Sequence, residues 1–322
     1  MQNPSTITIL DGEALNPGDI DTTELKKLGK VIFYPRTQPE QIVERIGNSE
    51  IILINKIPLT KEIFDQCPNL KYIGICATGY NTVDIQEAKK RNIAVTNVPS
   101  YSTNAVAQQV FAFILSFTNK IAEHSKSVFN KEWVSSPNFC YWISPLTELA
   151  GKTLGIFGYG EIGKKVAELG KAFGMNIICA TRTPSKIQAN SGILPVDFTT
   201  LLQHSDFLTV HTPLTEETEE IFNECTLKNM KKKAILINTA RGKLVDEEDL
   251  ANALKNGIIA GYAADVVSEE PMKKNNPLLK APNCIITPHI AWAALETRQR
   301  LMDKVIENIQ AFQKGTLLNR IV

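Results

Sequence analysis

TLGIFGYGEIGKKVAELGKAFG, residues 153–174, reads as a short apolar strand that runs through a glycine-rich turn into a helix. The turn, Gly158-Tyr159-Gly160-Glu161-Ile162-Gly163, has the spacing G-x-G-x-x-G. Each glycine has its own task. Gly158 permits the tight bend, Gly160 lets the backbone approach a pyrophosphate, and Gly163 lets the helix pack closely on the sheet. The free N–H groups and positive dipole end of the helix then face the phosphates. A merely glycine-rich turn would need neither the strand before it nor the helix after it. A dinucleotide site is the reading.

The next strand, NIICAT (176–181), is followed by Arg182, Thr183 and, further on, Lys186. An acid at this strand end would grip the ribose 2′-hydroxyl of NAD. A guanidinium fork with hydroxyls at Thr181 and Thr183 suits a 2′-phosphate instead. The sequence favours NADP. NAD stays possible, since it can bind without the acid.

Outward from this unit, strands and helices alternate. Strands are predicted at 6–10, 30–34, 50–54, 71–75 and 93–97, and again at 153–157, 176–181, 206–211, 234–239, 258–266 and 284–287. Thr37, Thr60 and Asp84 read as helix caps. Such alternation predicts an α/β protein with parallel sheets covered on both faces. Residues 101–129 read as one long helical stretch, apolar around much of its surface, as in a core or a subunit interface. Residues 133–152, with two prolines, two tryptophans and a tyrosine, read as an ordered aromatic loop. A last helix is predicted over Ala291 to Lys314.

The chain has 322 residues, 43% apolar and 21% charged, which suits two folded domains and excludes a disordered chain. Lys plus Arg total 35 against 34 for Asp plus Glu. That balance gives no electrostatic case for nucleic acid or a membrane surface. No apolar run approaches the ~18 residues of a spanning helix. The beginning, MQNPSTITILDGE, lacks the basic start of a signal peptide. Six scattered cysteines and four histidines show no metal-ligand spacing and read as reduced thiols and separate imidazoles. The expectation is a cytoplasmic, metal-free protein.

Three polar groups follow predicted strands in the second half: Arg241 after AILIN, Glu270 in DVVSEEP (265–271), and His289 after CIIT. Ligands of doubly wound sheets bind outside the carboxyl ends of the strands. There an arginine can clamp a carboxylate, a histidine can move a proton, and a carboxylate can orient that histidine. Taken singly, each has a plain structural reading: a surface turn, the end of an element, a hydrogen-bonded core histidine.

With GYGEIG, HTPLTEET (211–218), INTARG (237–242), DVVSEEP and TPHIAW (287–292), the chain resembles the D-isomer-specific 2-hydroxyacid dehydrogenases over essentially its whole length. LDGEALNPGD (10–19), ATGYNTVD (77–84), NVPSYSTNAVAQQVFA (97–112) and SPNFCYW (136–142) resemble the glycerate dehydrogenase, or hydroxypyruvate reductase, branch.

The resemblance implies two doubly wound parallel-sheet domains with a cleft between them. One is a flavodoxin-like substrate domain, 1–100 plus 291–322. The other is a Rossmann cofactor domain, 101–290, whose residues 101–150 form a homodimer interface. It implies Arg241 as carboxylate clamp, His289 as acid/base and Glu270 as its partner. Thr78 and Gly79 would offer N–H groups to the substrate, and Trp142 would reach the partner's site. Asp265 would hold the nicotinamide carboxamide. His211, Thr212, Pro213, Thr218, Thr239, Ala240 and Ala291 would line the cofactor. His124 and His204 match no functional position and read as surface groups. The family departs here at Thr181-Arg182 and at Gln108, where many members carry Glu. The implied activity is reduction of a short 2-keto acid, hydroxypyruvate to D-glycerate. Alternatives are a glyoxylate reductase or another D-2-hydroxyacid dehydrogenase, and, from another class, an NAD(P)-sensing scaffold similar to the family's corepressors.

Overall fold

In the computed structural model, which describes residues 5–322, the inner strands of both sheets bury side chains on both of their faces, so both sheets need helices on both sides. The chain divides into two compact units, residues up to 102 with 292–322, and residues 103–291.

The first unit holds five parallel strands: β1 (Thr6–Ile9), β2 (Lys30–Phe33), β3 (Ile51–Ile54), β4 (Tyr72–Ile75) and β5 (Ala94–Thr96). Their order is β2-β1-β3-β4-β5. This is the flavodoxin-like order. Ile51 and Leu53 enter one apolar cluster, while Ile52 and Ile54 enter the other. The helix Leu295–Gln313 covers the first of these with Leu301, Met302, Val305 and Ile309. Its Arg298 reaches back to both oxygens of Asp19, at 2.6 and 2.7 Å.

The second unit holds seven: β6 (Thr153–Phe157), β7 (Asn176–Ala180), β8 (Ile193–Pro195), β9 (Phe207–Val210), β10 (Ile235–Asn238), β11 (Gly261–Ala264) and β12 (Cys284–Ile286). Their order is β12-β11-β10-β9-β6-β7-β8, all parallel. The order reverses at β6, which makes the β6/β9 edge the switch point of a doubly wound sheet. In register, Ala180, Phe157, Val210, Asn238, Ala264 and Ile286 form one row across six strands. The next residue of each strand therefore leaves the sheet at one level: Thr181, Gly158, His211, Thr239, Asp265 and Thr287.

Three local readings are corrected. The helical stretch breaks in two, Thr103–Asn119 and Ile121–Phe129, at Lys120 with φ +48°. The Thr118 hydroxyl bonds the Ile114 carbonyl at 3.1 Å, and the Thr118 carbonyl accepts from Thr147 N–H at 3.3 Å, so the ladder does not continue. Thr37 is no cap, because its hydroxyl is spent on the Leu10 carbonyl. The last helix starts at Leu295, not Ala291, because the Ile290 and Ala291 N–H groups bond Asp265 at 2.8 and 2.7 Å. Among the described residues no helix is long and apolar enough to cross a membrane.

Candidate active site

The glycine turn leaves β6 with Gly158 at φ +102°. A Cβ there would lie 2.7 Å from the His211 carbonyl carbon, so the β6 and β9 loops are in contact at the switch point. Gly163 sits against the Gly158 carbonyl, again with no room for a Cβ. Around Gly160, by contrast, a Cβ would meet nothing within 4 Å. The helix Glu161–Ala172 begins there. Glu161 is turned out to pair with Lys164 at 2.9 Å. Tyr159 and Ile162 turn their side chains onto the apolar cluster, so what they offer a ligand is backbone.

Beyond β7, Arg182 is exposed and makes no hydrogen bond or ion pair within the described residues. Thr183 is tied to the Thr181 hydroxyl at 3.4 Å. On the β9 loop, Thr218 accepts from Thr215 N–H at 2.8 Å and donates to the Pro213 carbonyl at 2.8 Å, bracing the turn after Thr212. The His211 ring lies 3.0 Å from the Thr209 hydroxyl, and desolvation pushes its pKa down to about 3. That ring is neutral near pH 7 and cannot serve as the proton donor.

Buried Asn238 shapes the turn after β10. Its Oδ1 accepts from Ala240 N–H at 3.0 Å, and its Nδ2 donates to the Arg241 carbonyl at 2.8 Å. The Arg241 guanidinium is exposed and donates to the Ala240 carbonyl at 2.6 Å, with no ion pair among the described residues. Thr239 Oγ1 is buried, with no hydrogen-bond partner among the described residues.

His289 Nδ1 lies 2.7 Å from Glu270 Oε2. The Glu270 carboxylate can only accept, so Nδ1 carries the hydrogen and Nε2 is left for substrate. His289 itself has φ +55°, a left-handed conformation that costs energy outside glycine. Asp265 holds it there. Only 1% exposed, it accepts from the Thr287 hydroxyl at 2.5 Å, from Ile290 N–H at 2.8 Å and from Ala291 N–H at 2.7 Å. The Ala291 N–H is therefore spent inside the protein.

Other residues lie elsewhere. Thr78 and Gly79 follow β4 in the first unit. Thr78 donates its hydroxyl to the Val98 carbonyl at 2.9 Å and accepts from Asn97 Nδ2 at 2.7 Å. Trp142 is 65% exposed on the aromatic loop, not packed inside its own chain. His124 is no bare surface group: it accepts from Ile143 N–H at 3.2 Å and ties that loop to the helix Ile121–Phe129. Asn238 went unread as a functional residue, although an asparagine closing an apolar strand inside INTARG was the available signal.

Residues 111–291 match the D-isomer specific 2-hydroxyacid dehydrogenase family, NAD binding domain. A hydroxypyruvate reductase from Blautia hydrogenotrophica is 42% identical over 97% of this chain and 98% of its own. The chain belongs to this family. A glycerate dehydrogenase from Methylorubrum extorquens is 43% identical over 86% of this chain and 87% of its own. An NADPH-dependent glyoxylate/hydroxypyruvate reductase from Sinorhizobium meliloti, solved with NADP and malonate, superposes with a TM-score of 0.83 at 29% identity, covering 99% and 97% of the two chains. The family makes this chain an NAD(P)-dependent oxidoreductase acting on 2-hydroxy acids. Its residues fit a nicotinamide dinucleotide: the open space at Gly160 admits phosphate oxygens, and the orphaned Thr239 hydroxyl lacks a polar partner beside the switch point.

Proposed function

We propose that the protein reduces hydroxypyruvate to D-glycerate. The observation that carries this reading is the Glu270–His289 pair at 2.7 Å, two strands along the same sheet edge from an arginine with no ion-pair partner among the described residues. The relatives at 42% and 43% identity carry the substrate name. When bound, the nicotinamide supplies the hydride. Arg241 forks onto the substrate carboxylate, and the N–H groups of Thr78 and Gly79 serve as further donors to it. His289, protonated at Nε2, gives its proton to the oxygen on C2, and Glu270 keeps the ring aligned. Asp265 holds the His289 turn, and its remaining lone pairs are its means of meeting the carboxamide.

For the cofactor we infer NADP over NAD, because the Arg182 guanidinium has no partner within the described residues and no acid stands at the end of β7. The test is initial rates with hydroxypyruvate and with glyoxylate, using NADPH and NADH at equal concentration. Preference for NADPH is expected, and Arg182→Ala should raise the NADPH KM about tenfold or more while leaving NADH unchanged. A preference for NADH would discard the role of Arg182 and keep the enzyme. Faster turnover of glyoxylate would replace the substrate.

The protein is further read as a homodimer through residues 101–150. Phe139 is 89% exposed, and Phe129, Val134 and Trp142 are exposed with it. So much exposed apolar surface on one arm suits a second copy of the chain. Trp142 is then the residue that reaches the partner's site. Phe129→Asp combined with Phe139→Asp should sediment as a single chain where the parent sediments as two.

A further inference from the structure

The loop that carries Glu270 is held by little packing. Ser268, Glu269, Glu270 and Pro271 are all exposed, as are Lys273, Lys274 and Asn275. Met272 and Leu278 reach the apolar cluster. Yet Glu270 must meet His289 Nδ1 within hydrogen-bond distance, and a solvated loop does not fix a side chain that closely without other restraint.

Within the loop Val267 N–H donates to Glu270 Oε1 at 3.3 Å, and the loop as a whole is restrained by the helix Glu247–Lys255. Asp246 caps it, accepting from Glu248 and Asp249 N–H at 3.0 Å each. That cap sets Glu247 as the first helical residue, and Glu247 turns its carboxylate to the loop. Oε1 accepts from Ser268 N–H at 2.7 Å. Oε2 accepts from the Ser268 hydroxyl and from Asn276 Nδ2, both at 2.7 Å. One anion thus binds both ends of the segment in which Glu270 sits. Gly242, next to Arg241, completes the clamp. A Cβ there would strike the Val267 carbonyl and Ser268 N, so the arginine turn lies directly on the start of the loop.

We propose that Glu247 is a positioning residue for this reaction, fixing the Val267–Asn276 loop so that Glu270 meets His289. The proposal rests on the reading of Glu270 as partner of the catalytic histidine. Glu247 touches neither substrate nor cofactor. Its removal frees the loop, the Glu270–His289 bond becomes one of several arrangements, and kcat falls by the fraction of time the bond is lost.

A double-mutant cycle tests this. Wild type, Glu247→Ala, Glu270→Gln and the double variant are compared for kcat and KM in hydroxypyruvate reduction. NADPH binding is measured by fluorescence, and Tm alongside. Glu247→Ala should lower kcat roughly tenfold with cofactor binding unchanged, and the double variant should be no slower than Glu270→Gln alone. Glu247→Gln keeps one acceptor oxygen and should be intermediate. It replaces the alanine variant if that one does not fold. Losses that multiply in the double variant would overturn the proposal, since a general weakening of the fold acts with or without Glu270. A slow Glu270→Gln beside a full-speed Glu247→Ala would overturn it alone. A full-speed Glu270→Gln would overturn the reading of Glu270 and this proposal with it.

Discussion

His289→Gln should lower kcat for keto-acid reduction about a thousandfold, with NADPH binding nearly unchanged. Glutamine can still hydrogen-bond Glu270 but has no proton to give the developing alkoxide. His211 cannot take over the step, because desolvation holds that ring neutral down to about pH 3. Steady-state rates of keto-acid reduction decide the matter, and a His289→Gln enzyme within a few-fold of wild type would remove His289 from the proton step.

The sequence was most legible where local chemistry and long-range structure coincide. GYGEIG is local: three glycines, a strand before and a helix after, and the β6 turn follows from them. The sheet is legible for a similar reason, because buried parallel strands are short apolar runs between helices. β8 escaped because it is a three-residue edge strand ending in Pro195, with too few residues to show a pattern. The break at Lys120 escaped because apolar spacing continues across it, while its cause lies in the Thr118 hydroxyl and the distant Thr147 N–H. The pairing of Glu270 with His289 was legible as one option from their places after predicted strands and was specified by resemblance, although nineteen residues and a strand separate the two. Glu247 was not legible. An acid in the first turn of a helix is explained by the macrodipole alone, and its contacts lie 21 and 29 residues away. Asp265 shows the same limit. Its place after β11 is readable, but its burial under the His289 turn is a property of the loops after β11 and β12 together.

Arg241→Ala should raise the hydroxypyruvate KM about a hundredfold while changing NADPH binding little. The size follows from what the side chain would lose. A guanidinium forked onto a carboxylate makes two charge-assisted hydrogen bonds, and losing such contacts costs about 3 kcal/mol. That energy corresponds to about a hundredfold in affinity. The geometry favours a clean result, because the guanidinium makes no ion pair among the described residues that its loss would orphan. The turn itself is held by Asn238 through backbone groups, which alanine keeps. Arg241→Lys separates charge from shape. An ammonium keeps the attraction but not the fork, so its KM should fall between the two. Substrate analogues provide the matching control from the other side. Replacing the carboxylate by a neutral amide should cost wild type about as much as Arg241→Ala does, and should cost the Arg241→Ala enzyme almost nothing further. If the amide penalty survives in full in that variant, other donors hold the carboxylate, and the N–H groups of Thr78 and Gly79 become the first to test. If cofactor and substrate affinity fall together, Arg241 is maintaining the turn after β10 and not clamping the acid.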